Sequence, residues 1–380
     1  MDQTSIMTAA DQVAYLRDDK NVSFNLVTES DAVAFLEERN FFFKVKAFAK
    51  DFEKYVEKPG DKGRYVNLDF GQLVELSRLD SVLRALVLEL ALDVEHYLKV
   101  RTNMAAMSCG NDPYAIVESF LEKSATQVIA EQEKSLDVGT AEAAMRSVHS
   151  LLDDFGEDAS PEDYVRAANA AIQVLSTVTG GCDPHHIENA MTEMQGSPYS
   201  GKLVTKYVGK SVPLWVMLEL VSFGSLIKLY RYCFDKDGVI GDPSERAMFD
   251  RNKALLRCTQ QLRNAAAHND CLLNGLALHE KRKGAHGAVR RALASSYGMS
   301  DDLIAPVSSV RVAMDVAALL MCYDAYVPRN CGSRRRASEA LSISAERFAE
   351  HATWFSKSYD VDVFIAYAVQ LFRTFSGVLA

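Results

Sequence analysis

The chain has 380 residues, which is enough for one large domain or two ordinary ones. Hydrophobic residues make up 48% of it, and glycine (20) and proline (9) are few, which favours an ordered protein with long helices. Its formal net charge of −9 excludes the overall positive field of a protein that binds nucleic acid through bulk charge. A local basic patch for RNA remains compatible with this charge.

Cofactors and membrane contact are not expected. The seven cysteines form no Cys-x-x-Cys pair, and Cys182 with His185 and His186 has no evident second ligand pair, so that segment is interpreted as a loop. The first residues lack a basic stretch followed by an apolar core. The apolar neighbourhood 212–234 is interrupted by charged side chains, which predicts a buried helix. We therefore expect a cytoplasmic protein with no metal, no cofactor and no membrane contact.

The first half of the chain is predicted to be helical. Residues 29–58 are expected to form a first helix with Ser30 as its cap. A helix over about 69–104 carries one apolar stripe, and Asp80 and Arg84, four residues apart, are expected to pair on its surface. Shorter helices are predicted over 137–152 and 160–178.

The second half continues in the same way. Pro213 opens a helix, and Ser244 is expected to cap a long one that runs to about Leu273. Three or four more helices are expected over 284–380. Because no segment shows a convincing period-two alternation, the predicted fold class is all-α, and we expect one large domain.

The helix that ends near Leu273 has two distinct faces. One face is predicted to be core and carries Leu255, Thr259, Leu262, Ala266 and Asn269. The other carries Arg257, Gln261, Asn264 and His268, at spacings of four, three and four. Asn264 and His268 should therefore project together.

Arg263, Asn264 and His268 are the residue types that metal-independent RNA cleavage requires. Attack of a 2′-hydroxyl on the next phosphate needs a proton acceptor or donor, which histidine supplies, and a cation for the charged intermediate, which arginine supplies. Asparagine can hold a hydroxyl or orient the imidazole. On an ideal helix Arg263 lies roughly 140° from His268, so the two meet at one phosphate only if the helix kinks or starts there, or if a second chain completes the site.

The bare pattern is weak evidence, since a chain of this size gives roughly one chance match. The plain alternative is a helix with a solvated arginine and a histidine satisfied by a backbone carbonyl. However, the string from Leu262 to Asn269 resembles the "LRN-x-x-AH" signature of HEPN domains, in which a histidine follows the arginine by four to six residues.

Three more segments resemble the Abi-like (AbiD/AbiF) abortive-infection family, in the right order. Residues 36–48 are similar to its "L…NYYRLSGY" block, the stretch around Asp80, Arg84 and Glu95 to its "D…LR…IE" helix, and residues 213–226 to its "PIWVLVEVLSFGTLS" block. Two features depart from the family: the "RLWN" tail after the motif is absent, and Lys44-Val45-Lys46-Ala47 replaces Arg-Leu-Ser-Gly.

The resemblance implies a HEPN-containing helical core over residues 1–275, followed by a helical region 276–380 that is either separate or part of the same domain. It also implies a metal-independent endoribonuclease that acts as an abortive-infection toxin in phage defence. Because the chain has one motif, a homodimer would pair two, and a small structured RNA is a candidate antitoxin. The alternative is a catalytically silent HEPN protein that binds RNA as a sensor or scaffold.

Basic residues outside the motif are the candidates for RNA contact. Lys44 and Lys46 lie among phenylalanines and could hold RNA, although an amphipathic helix with aromatic core residues and a solvated lysine face is the favoured interpretation. The remaining candidates are Arg257, the run Lys281-Arg282-Lys283, the pair Arg290-Arg291 and the run Arg334-Arg335-Arg336. Charge runs are usually only solvated.

Overall fold

A computed structural model describes residues 7–56, 60–122, 202, 205–207, 211–277 and 285–380. The chain divides into two compact units: unit 1 is 1–98 with 248–380, and unit 2 is 99–247. Within the described ranges the elements are helices, with two isolated β-bridges and no strand. The predicted all-α fold class is thus confirmed. The predicted helices 137–152 and 160–178 lie outside the described residues, and the boundary at residue 275 stays a prediction.

The first part of unit 1 contains three short helices and most of one long helix. They are α1 (Ala9–Asp18), α2 (Glu29–Glu38), α3 (Phe42–Ala49) and α4 (Phe70–Ser108), of which α4 passes into unit 2 after Leu98. The prediction of one helix over 29–58 was wrong, because the chain leaves the helical conformation between α2 and α3 and ends α3 at Ala49. Thr28, rather than Ser30, caps α2: its hydroxyl accepts the backbone N–H of Asp31 at 3.1 Å.

Two helices occur in the described part of unit 2 between 211 and 242: α5 (Leu214–Leu220) and α6 (Phe223–Phe234). The expected single helix after Pro213 breaks at Ser222, whose extended backbone and hydroxyl cap α6. The next helix, α7 (Pro243–Ala267), passes from unit 2 into unit 1. Asp242, rather than Ser244, caps it, because its carboxylate accepts the N–H groups of Ser244 and Glu245 at 2.9 and 3.1 Å.

The rest of unit 1 is built from α8 (Ala285–Ser295), α9 (Asp301–Ile304), α10 (Arg311–Tyr326), α11 (Gly332–Glu350), a 3-10 turn (Ala352–Phe355) and α12 (Tyr359–Leu379). Helix α10 is buried almost all round and packs against α8 and α12, which makes it a central core helix. The Tyr323 hydroxyl ties it to α4 by donating to Asp93 at 2.7 Å.

One described helix, α12, is long and apolar enough to cross a membrane by length and composition alone. Its most apolar window is 44% buried, and the buried side chains pack within unit 1 against α10 and α11. The same test is passed by helices of an ordinary protein core.

Candidate active site

Helix α7 presents the two faces that its spacing predicts. Leu255, Thr259, Leu262 and Ala266 are buried in unit 1, whereas Arg257, Gln261 and His268 are exposed and Asn264 is half-buried. Asn269 was expected in the core but is exposed, because the helix has already ended before it.

The helix ends immediately before His268. Asn269 has a φ of 59°, and the N–H groups of Asn269 and Asp270 bond back to the carbonyls of Ala266 (3.1 Å) and Ala265 (2.9 Å). This is a Schellman ending, in which a residue in the left-handed conformation, often asparagine, closes the helix. The expected helix end near Leu273 was therefore wrong, and His268 occupies the C-terminal cap position, exposed to solvent.

The loop after His268 is held by buried carboxylates from earlier in the chain. Asp80 accepts the N–H of Leu273 at 2.9 Å, and Asp51 accepts those of Gly275 and Ala277 at 3.0 and 3.1 Å. Burial raises the pKa of Asp51, and its bonds to backbone N–H groups oppose that rise. These contacts fix the chain that immediately follows His268.

Asp80 also forms the expected ion pair with Arg84. The prediction that this pair lies on the helix surface was wrong, since Asp80 is 1% exposed. The sequence spacing identifies the pair but cannot show that Leu273, far along the chain, supplies a third partner.

Arg263 faces α4. Its Nη2 lies 3.8 Å from a carboxylate oxygen of Glu95, and its Nη1 donates to the amide oxygen of Asn264 at 3.3 Å. Its Nε is buried and has no hydrogen-bond partner among the described residues. The guanidinium thus sits between the Glu95 carboxylate and the Asn264 amide.

Asn264 and His268 line one cavity of about 490 Å³ in unit 1, and Arg263 is not among its lining residues. The cation that does line it is Arg311, at the start of α10, whose Nη2 donates to Gln261 at 3.0 Å and whose Nε lies 3.3 Å from Asp315. Arg311 was not predicted as a site residue, because no motif or spacing connects it to a helix more than forty residues earlier.

A second cavity of about 640 Å³ adjoins the first and shares His268 with it. Its other lining residues include Phe41, Phe43, Lys44 and Cys271. The Lys44 ammonium donates to the backbone carbonyl of Asn269 at 2.7 Å, so this predicted RNA-binding residue lies beside the loop that follows His268. Burial raises the pKa of the Cys271 thiol, and the nearby positive charges of Lys44 and Arg84 oppose that rise.

The other basic candidates are dispersed. Lys46 and Arg257 are exposed on α3 and α7, and Lys281, Arg282 and Lys283 lie outside the described residues. Arg290 pairs with Asp301 at 2.9 Å, and Arg335 is exposed. Arg334 is buried, pairs with Asp324 at 2.6 Å and donates to backbone carbonyls, so it serves the core and not a phosphate.

One group within the described residues has the composition of a metal site. Ligand atoms of Cys258, His286 and Asp315 lie within 4.8 Å of one another, all buried. His286 Nε2 is 3.3 Å from Asp315, whose other oxygen faces Arg311. An ion pair with arginine occupies a carboxylate that a cation would need, so the cluster fits a buried His–Asp pair better than a metal centre.

Comparison with family models gives a match over residues 34–274, to the family described as "Abi-like protein". The matched range contains Lys44, Asp80, Glu95 and the Arg263–His268 segment, and it covers more than half of the chain. Neither a curated protein nor a solved structure matches.

Proposed function

Because the chain belongs to the Abi-like protein family, we propose that it is a metal-independent HEPN-type endoribonuclease that acts as an abortive-infection toxin in phage defence. One observation carries the proposal: Asn264 and the exposed His268 line the same cavity, at the end of a helix whose loop is anchored by buried carboxylates. In the same proposal the protein is cytoplasmic, and a small structured RNA restrains its activity.

In the proposed cleavage, the imidazole, the Asn264 amide and a guanidinium each have a separate role. The 2′-oxygen attacks the adjacent phosphorus and its proton passes to an imidazole, while the bond from phosphorus to the 5′-oxygen breaks and that oxygen takes a proton from a protonated imidazole. The products are a cyclic phosphate and a 5′-hydroxyl. Asn264 holds the ribose hydroxyl or the imidazole through its amide, and a guanidinium stabilises the charge on the phosphoryl oxygens.

Two arginines are candidates for the guanidinium, and they differ in whether the site needs a second copy of the chain. Arg311 lines the cavity of His268 within one chain. Arg263 belongs to the resembled motif but faces Glu95, so it reaches a phosphate only after moving or by acting in a site completed by a second copy. The proposed homodimer supplies such a copy and also a second imidazole, which allows separate proton acceptor and donor groups.

The test is cleavage of end-labelled total RNA by purified full-length protein in EDTA, with the product termini mapped. Wild type should leave cyclic phosphates, and His268→Ala should lose roughly 100-fold or more in rate, the usual size of an acid–base contribution. His351→Ala is the matched control, since its ring stacks on Trp354 and lines neither cavity. Undiminished cleavage by His268→Ala, or cleavage that requires a metal, would contradict the proposal.

The arginines are distinguished in the same assay. Arg263→Gln and Arg311→Gln are each mixed with His268→Ala. In a mixed dimer whose sites combine an arginine from one copy with His268 from the other, one site carries both changes and the other carries neither, whereas sites built within one chain each keep one change. Restored cleavage in the Arg263→Gln mixture indicates a site shared between copies. Loss of cleavage by Arg311→Gln alone, without restoration, indicates that Arg311 acts within one chain.

The position of Arg263 favours a second candidate function, in which the protein binds RNA without turnover as a sensor or scaffold. A guanidinium engaged by Glu95 and Asn264 is a stable structural contact that needs no substrate. This candidate predicts RNA binding by wild type with intact RNA ends, and equal toxicity of wild type and His268→Ala in cells.

A further inference from the structure

Two phenylalanine rings stand in solvent at the start of α3. Phe41 is 57% exposed and Phe43 74%, whereas Phe48 on the same helix is buried. The two exposed rings are parallel, with an angle of 6° between their planes and 6.4 Å between their centroids. A solvated lysine face with its aromatics in the core, the plain interpretation of this segment, does not describe these two residues.

The pair lies beside the candidate catalytic histidine. Phe41, Phe43, Lys44 and His268 all line the second cavity, whose volume lies in the range of cavities that hold small organic groups. The Lys44 Nζ is 5.8 Å from the Phe41 ring centroid and donates to the Asn269 carbonyl. Flat apolar faces, an ammonium group and an imidazole thus border one space.

We propose that Phe41 and Phe43 form a stacking platform for an unpaired base of the substrate RNA, next to the phosphate at which His268 acts. This inference rests on the function proposed above. Each base presents a flat face that stacks on an aromatic ring, and a basic side chain nearby suits the phosphate backbone. Bases inside a duplex are already stacked, so the platform selects single-stranded RNA, loops or ends.

The chemistry around the rings favours RNA over a second protein surface. Lysine is depleted in protein–protein interfaces, yet Lys44, Lys46 and Lys50 all belong to or directly follow this short helix. A standard interface also buries roughly 800 Å² on each partner, more than two rings provide.

Binding is measured in the His268→Ala background, so that cleavage does not interfere. The probe is a short single-stranded RNA that contains 2-aminopurine, whose fluorescence falls when the base stacks. Replacing both Phe41 and Phe43 by leucine keeps apolar area but removes the rings, and should weaken binding by roughly 5- to 150-fold and abolish the quenching. Replacing both by tyrosine should preserve both signals.

Tyr359→Leu is the matched control, because Tyr359 is 70% exposed in the same unit and lines neither cavity. It should bind the probe as the parent does. Equal binding by the double leucine variant, equal binding of a duplex of the same sequence, or a changed oligomeric state in that variant would overturn the inference.

The two proposals fail separately. If wild type cleaves no RNA but quenching still depends on the two rings, the platform stands and the nuclease assignment falls. If cleavage depends on His268 but proceeds equally well in the double leucine variant at limiting substrate, the platform falls alone.

Discussion

Asp80 offers the sharpest test of how the candidate site is held in place. Its carboxylate is 1% exposed, pairs with Arg84 and accepts the N–H of Leu273, which is itself buried. Asp80→Ala removes both contacts. The orphaned N–H costs about 1–3 kcal/mol, and a broken buried ion pair costs about 3–5 kcal/mol, reduced here because the Arg84 side chain is 16% exposed.

These contributions overlap, so we expect Asp80→Ala to lower the free energy of unfolding by about 3 kcal/mol. Asp80→Asn keeps an oxygen for Leu273 and should lose about half as much, since only the charge is removed. Asp250→Ala is the control: its pair with Lys253 at 3.0 Å is more than half exposed and should contribute at most about 0.5 kcal/mol.

Urea unfolding gives the change in the free energy of unfolding, through the midpoint and the slope of the transition. Amide hydrogen exchange gives the local change in stability. Asp80→Ala should raise the exchange rate more in peptides that cover residues 268–277 than in the rest of unit 1. If Asp80→Ala is no more destabilised than Asp250→Ala, or if this loop keeps its exchange rate, the Asp80 carboxylate does not anchor the loop.

Two further predictions concern separate regions. Gly238→Ala should lower the free energy of unfolding by about 1–3 kcal/mol, because an added Cβ would collide with the backbone carbonyl of Cys233. Gly241→Ala meets no atom within 4 Å and should be close to neutral in the same urea measurement. Lys44→Met removes a charge that lowers the pKa of Cys271, so this pKa should rise further and iodoacetamide should alkylate Cys271 more slowly at pH 8, as measured by peptide mass spectrometry. An alkylation rate that is unchanged or faster would contradict it.

The fold class follows from sequence because helical periodicity is a local property. The buried face of α7 and the shared orientation of Asn264 and His268 depend only on residues three and four apart, and both are observed. The break at Ser222 was missed because apolar residues on both sides hide it, although serine followed by a new helix is a capping signal.

Other errors concern contacts between distant segments. Nothing near Asp80 indicates that the backbone N–H of Leu273 will donate to it, and nothing near Arg311 indicates that it will line a cavity with His268. The exposure of Phe41 and Phe43 was missed for a different reason, because an aromatic-rich segment ordinarily indicates core.

The carboxylates that hold the loop after His268 have a consequence for biosynthesis. Asp80 and Asp51 precede their partners Leu273 and Gly275 by 193 and 224 residues. Contacts over such separations form late, after much of the chain has been made and brought together. A nascent chain shorter than about 275 residues therefore lacks the anchored loop, so the backbone that follows His268 is fixed only after most of the chain has been made.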